Sequence, residues 1–197
     1  MNWDVEAFSR AGFAIDPIKA IVGPRPIGWI STQASDGRAN LAPYSFFNIF
    51  ATEPYYIAFG SEGRKDTLRN IEATGEFVVN FASADLAQAM NITAASGPGD
   101  EFALAGLAKA ACVRVGAPRV AAAPASLECR HFQTVPLPGD DGSLENFLVI
   151  GRVVHVHLAD GLVKAGRVDT AAMKLIARHG YSDYSTVESV WQMRRPG

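Results

Sequence analysis

Cysteine is scarce. Cys112 and Cys129 are the only two in 197 residues, too few for a disulfide framework, and neither belongs to a CxxC pair. Long apolar runs are missing as well: no stretch of about eighteen residues could form a membrane-spanning helix. Neither sign of charge dominates, with Lys+Arg 18 against Asp+Glu 20 and a net charge of −2. Both signs are spread along the chain, which excludes the clustered basic face of a nucleic-acid binder and the polybasic patch of a membrane-surface protein. The opening Met1-Asn2-Trp3-Asp4-Val5-Glu6 is acidic and reads as no secretory signal, so a cytoplasmic setting is expected. Several signatures are lacking too: GxGxxG, the GxSxG elbow and HExxH. Gly60-Ser61-Glu62-Gly63-Arg64-Lys65-Asp66-Thr67 looks like a P-loop only superficially, because Gly60 is misplaced and Arg64 and Asp66 are extra.

What is present is a globular composition, 48% hydrophobic and 19% charged, long enough for one domain with a real core. β-Branched and aromatic residues cluster between turn signals and predict strands over 28–32, 45–50, 55–60, 76–81, 111–115, 127–135 and 147–158. Helices are predicted over 66–73, 85–94, 100–110 and 170–177, the first capped by Asp66 or Thr67 and the second by Ser83. Strands this numerous, not alternating with helices, predict an antiparallel barrel with peripheral helices. The strand over 147–158 is apolar on both faces through its first half. A lone barrel with one wet face would alternate there, so an extra helix or a second subunit must cover it. A homodimer is the favoured reading.

Three segments suggest chemistry. Arg64 and Lys65 precede the helix start at Asp66-Thr67. Free backbone N–H groups, the positive end of the helix dipole, two cations and a hydroxyl together suit a phosphate. An ordinary capped surface helix with flanking cations fits the same residues. Pro24-Arg25-Pro26-Ile27-Gly28-Trp29-Ile30-Ser31-Thr32 ends in two hydroxyls, and Asn40-Leu41-Ala42-Pro43-Tyr44-Ser45-Phe46-Phe47-Asn48 interleaves aromatics with Ser and Asn. That mixture suits a large flat heterocycle, and equally an aromatic core with hydroxyls at strand ends. Finally, His155 and His157 would share one face of a strand, with His131 as a third metal ligand. Two polar residues at the exposed end of a long strand are the favoured alternative, and no metal site is expected.

Taken in order, the two segments just quoted, then Lys65-Asp66-Thr67-Leu68-Arg69-Asn70-Ile71 and Glu76-Phe77-Val78-Val79-Asn80-Phe81, resemble the flavin reductase-like family of FMN-binding split-barrel proteins. The tail Ala177-Arg178-His179-Gly180-Tyr181-Ser182-Asp183-Tyr184 is similar to that family's C-terminal pattern, so the likeness runs from about Asp16 to Pro196. It implies a mainly β protein: one split β-barrel domain over 1–197 with peripheral helices, dimerised, with FMN near the subunit interface. Ser31, Thr32, Ser45, Phe46, Phe47 and Asn48 would contact the flavin. Lys65, Asp66 and Thr67 would surround its phosphate and ribityl chain, joined by Arg25 and Arg64. His179, the candidate catalytic residue, and Tyr181 would face the nicotinamide, although His179 also suits a plain surface position.

The implied activity moves a hydride from NADH or NADPH to flavin N5 and passes reduced flavin or electrons to a monooxygenase or another acceptor. Because that chemistry belongs to the cofactor, no acid–base pair is expected. Two other readings are carried alongside it: a non-catalytic FMN-bound electron carrier, and a metal-dependent β-barrel enzyme built on His131, His155 and His157.

Overall fold

The protein is described here by a computed structural model covering residues 2–95, 97 and 99–196. A 3₁₀ turn over Val5–Ala11 and helix α1 (Ile18–Ile21) precede a short strand β1 (Arg25–Pro26). Then come β2 (Gly28–Gln33), β3 (Ala39–Tyr44), β4 (Phe47–Thr52), β5 (Tyr55–Glu62), helix α2 (Asp66–Thr74) and β6 (Glu76–Asn80). A 3₁₀ turn (Ala84–Leu86), α3 (Ala87–Ile92) and α4 (Glu101–Leu104) lead through the two-residue strands β7 (Lys109–Ala110) and β8 (Arg119–Val120). The long hairpin β9 (Ala125–Leu137) and β10 (Asn146–Leu158) follows, then β11 (Val163–Lys164), β12 (Arg167–Val168), β13 (Ile176–Arg178) and β14 (Tyr184–Thr186). No helix among the described residues is long and apolar enough to cross a membrane.

Seven strands form one antiparallel sheet in the order β3-β2-β6-β9-β10-β5-β4. Its two edges, β3 and β4, are neighbours in the chain. The corner between them closes on β5 without a ladder: Gly60 N–H donates to the Phe46 carbonyl at 2.7 Å, and the Tyr44 and Phe59 rings lie 4.7 Å apart. The barrel is therefore split, closed there by one corner and side-chain packing. Ile30, Phe59, Phe77, Val79 and Val149 fill its interior, and Leu68 and Ile71 of α2 join them. The period-two alternation of β2 sends its neighbour Trp29 outward, into a second core with Met90 of α3, Phe102 of α4 and Ile176 of β13. That second core holds α3, α4 and the β13–β14 hairpin against the barrel's outer wall.

Some predicted elements need correction. Residues 111–115 are not a strand, because their N–H groups go to side-chain carboxylates: Val113, Arg114 and Val115 donate to Glu128. The helix predicted over 100–110 lasts four residues; Gly106, in the left-handed region at φ 65°, turns the chain away from it. Residues 170–177 are turns followed by β13, since the Lys174 carbonyl accepts from Ala84 N–H and Ile176 N–H donates to Ala82. Strand β3 was not predicted as a strand. At the start of α2 the N-cap is Lys65 and no side chain caps it, while Ser83 occupies its expected N-cap position without a capping hydrogen bond.

The faces of β10 also change. A register shift against β9 between Val153 and His155 leaves Val153 and Val156 lining one apolar cavity, while Val154 packs with Val78 and Val115 on the opposite side. His157 thus comes to the side of the sheet that carries Glu128.

Candidate functional site

Two cavities of about 410 Å³ and 500 Å³ run together along the outer end of β3, with Pro43 and Ala94 lining both. Their combined trench is walled by β3, the start of α2, the segment after α3, the N-terminal α1 region and the β13–β14 tip.

The first cavity is lined by Arg64, Lys65, Asp66, Thr67 and Arg69 from the start of α2, together with Asn40, Tyr44 and Glu101. No side chain caps α2, so the N–H groups of its first turn open on this cavity, where Asp66 is the acidic residue of that turn. Arg69 pairs with Asp66, and Arg64 pairs with Glu72 while stacking on Phe147, its guanidinium 4.8 Å from the ring centroid. Lys65 has no ion-pair partner among the described residues, which leaves it the free cation here. Thr67 Oγ1 accepts from Asn40 Nδ2 at 2.9 Å. Burial pushes the Tyr44 phenol up, and contacts with Thr67 and Ser61 only partly offset this, so Tyr44 is a neutral hydrogen-bonding group at ordinary pH.

The second cavity is more apolar and aromatic. Ile27, Pro43, Phe46 and Met90 line it, with Ser45, Arg25, Arg178, His179, Tyr181 and Tyr184 around its rim. Arg25 is 92% buried, as its 8% exposure requires, and its guanidinium donates to the carbonyls of Lys19, Val22 and His179, the last at 2.7 Å. It braces two cavity walls. The tip of the β13–β14 hairpin rests on α1 so closely that a Cβ on Gly180 would stand 2.4 Å from Ala20 Cβ. Tyr181, next in the chain, sits at φ 56°, a costly backbone for a bulky residue and one often found where geometry serves a ligand. His179 Nε2 lies 2.8 Å from Ser185 Oγ, and Arg178 donates to the Tyr184 hydroxyl at 2.5 Å and to the Tyr181 carbonyl.

The structure thus gathers Arg25, Ser45, Phe46, Arg64, Lys65, Asp66, Thr67, His179 and Tyr181 in one trench. Ser31 and Thr32 are elsewhere, fully buried. Ser31 Oγ donates to the Pro118 carbonyl at 2.6 Å, and Thr32 Oγ1 accepts from Asn70. Phe47 belongs to the barrel core, and with Asn48 it borders a separate apolar cavity of about 360 Å³. The metal trio is not brought together: His131 is paired with Gly151 across the ladder and His157 with Ser126, so five positions along β9 separate His131 from the partner of His157, roughly 17 Å. Asn40, Tyr44, Arg69 and Arg178 were missed as site residues, although the quoted segments contained all four.

The split antiparallel barrel thus carries a trench with a cationic end at the start of α2 and an aromatic end beside the β13–β14 hairpin. A family model described as "Flavin reductase like domain" matches residues 23–177. An uncharacterized protein from Halalkalibacterium halodurans is 34% identical over 181 residues, 88% of this chain and 86% of its own. Among solved structures, nitrilotriacetate monooxygenase component B from Bacillus cereus is 33% identical, covers 89% of this chain and 90% of that one, and superposes with a TM-score of 0.84. A split-barrel-domain structure from Shewanella frigidimarina, at 21% identity and TM-score 0.85, covers 100% of both chains and supports the fold alone. The chain belongs to the flavin reductase-like family. The uncapped α2 terminus with its free Lys65, and the aromatic cavity joined to it, fit a flavin mononucleotide by their own chemistry.

Proposed function

We propose that the protein is an FMN-dependent NAD(P)H:flavin oxidoreductase. The observation that carries this reading is the continuity of the two cavities through Pro43 and Ala94. It offers one ligand both a phosphate site and a ring site. Lys65, Thr67 and the first N–H groups of α2 would hold the phosphate, with Arg64 beside it. Asn40 and Tyr44 offer hydrogen bonds along the ribityl chain. Phe46, Ile27 and Met90 would bury one side of the ring, and Ser45 would orient its edge. When bound, the flavin supplies the redox chemistry, taking a hydride from NADH or NADPH. The protein's share is to exclude water and to fix both rings in register. His179, held by Ser185, and Tyr181, held at its strained backbone, stand where the nicotinamide would lie against the flavin.

Two further elements belong to this reading. The apolar cavity bordered by Phe47, Ile49, Tyr55, Val153 and Val156 leaves Ile49, Tyr55 and Val156 half exposed. A second copy of the chain would cover it, and Val156→Glu should then shift the protein to monomer in sedimentation. The likeness to a monooxygenase component B supports a monooxygenase as the recipient of reduced flavin.

The test is the visible spectrum of the purified protein with FMN, followed anaerobically by NADH and then NADPH. Bleaching faster than in a protein-free control supports the reductase. A bound flavin that stays oxidised with both nucleotides overturns it in favour of a carrier, and failure to bind FMN removes both.

A further inference from the structure

Away from the trench, on the outer side of the sheet, Cys112, Glu128 and His157 converge. One ligand atom from each lies within 4.8 Å of the other two. None of the three lines either trench cavity. The bulge in β10 creates the cluster by placing His157 on the side of the sheet that carries Glu128. The loop between β7 and β8 then folds over that carboxylate and delivers Cys112.

Glu128 is fully buried, an expensive place for a carboxylate unless it is satisfied. Its Oε1 accepts from Val113 N–H at 2.7 Å and lies 2.6 Å from His157 Nε2; its Oε2 accepts from Arg114 N–H at 2.6 Å and Val115 N–H at 3.1 Å. The three backbone donors fix the carboxylate in place. The histidine is the only one of the four partners that can leave without breaking the loop.

We propose that Cys112 Sγ, Glu128 Oε1 and His157 Nε2 form a binding site for a borderline-soft divalent cation of the zinc class. Thiolate, imidazole and carboxylate are the donor types that such an ion takes in tetrahedral sites. Binding exchanges the His157–Glu128 hydrogen bond for two coordinate bonds, and the imidazole has only to draw back by well under about 1 Å, given metal–ligand distances near 2 Å. The Cys112 thiol gives its proton to solvent as the metal–sulfur bond forms, and His157 gives up the Nε2 proton that bridges it to Glu128 and coordinates as the Nδ1–H tautomer. Burial first, and the adjacent Glu128 charge second, push this thiol up to about 12 without a metal. A cation reverses both effects. The His155 ring, its centroid 4.9 Å from that of His157, is on hand for the fourth position, which water otherwise takes. The ion would staple the β7–β8 loop to the hairpin β9–β10, so its role is structural.

Cobalt(II) reports on this site directly, because a thiolate ligand gives a charge-transfer band and a tetrahedral field gives intense visible bands. The full-length protein should take up one equivalent of Co²⁺ with both features and release it to Zn²⁺. Cys112→Ser should abolish the charge-transfer band, and His157→Gln should weaken Zn²⁺ binding at least about tenfold. Both variants should keep the wild-type FMN affinity, showing that they fold. Co²⁺ uptake without a charge-transfer band, a band that survives Cys112→Ser, or no uptake at all by folded protein would each overturn the proposal. None of these readouts depends on flavin reduction.

Discussion

Two sets of polar groups in this molecule do opposite things. On the barrel wall, Asn80 donates to the Trp29 carbonyl and to Ser31 Oγ, each at 3.0 Å, and accepts from Val120 N–H at 2.9 Å and Ser126 Oγ at 3.0 Å. Every one of its hydrogen-bonding groups is used, and all are buried. In the trench, by contrast, Lys65 has no ion-pair partner among the described residues, and α2 begins without a side-chain cap. A polar group whose capacity is spent inside the protein stabilises the fold. A polar group whose capacity is left open at a cavity is available to a ligand.

The most severe test of that contrast is Asn80→Ala. It strands several buried groups at once and should lower unfolding free energy by about 3–5 kcal/mol, read from urea denaturation. FMN affinity of the fraction that remains folded should not change, and a selective loss of affinity would erase the distinction. Next is Lys65→Ala. Losing a charge-assisted phosphate contact should cost about 1.5–3 kcal/mol, roughly ten- to hundredfold in FMN affinity. Riboflavin, which lacks the phosphate, should bind almost as before; equal losses for both ligands would mean that Lys65 supports the fold.

Ser31→Ala sharpens the comparison further. About 1 kcal/mol of stability should go, with FMN affinity held within about twofold, because the hydroxyl serves Pro118 and Asn80. The smallest effect concerns Asp100, which caps α4 beside the trench and pairs with Lys109. Partial burial raises its carboxyl, but the Lys109 contact and the Ala103 and Phe102 N–H groups outweigh this and hold it below the usual range. Its stabilising effect is therefore complete above the ordinary carboxylate range near pH 4 and is lost as pH falls through the lowered value. Because the pair is over a third exposed, Asp100→Asn should flatten the acid limb of a stability–pH curve by less than about 1 kcal/mol.

Much of this was legible in the sequence. Most strands with dense β-branched and aromatic content appeared nearly where expected, and the cations expected before α2 line a cavity at its start. What the sequence concealed was which hydroxyls are already spent. Ser31 and Ser45 both follow an aromatic stretch and look equally available, yet one is sealed in the wall and the other rims a cavity. Strand β3, with Pro43 and few β-branched residues, carried little local signal, and its partner β2 supplies the pairing that holds it. The Glu128–His157 pair spans 29 residues and depends on one bulge. Period-two alternation alone therefore could not pair His157 with Glu128.

The single guanidinium of Arg25 reaches the carbonyls of Lys19 and Val22 and also that of His179, 154 residues further along. A ribosome emits the first two partners early and the third near the end of its work on this chain. Until then Arg25 holds only the α1 segment, and the second cavity lacks the wall that His179 and Tyr181 supply. Under the proposed function, FMN loading follows synthesis of the C-terminal hairpin, and a nascent chain stalled before His179 should emerge colourless even in abundant FMN.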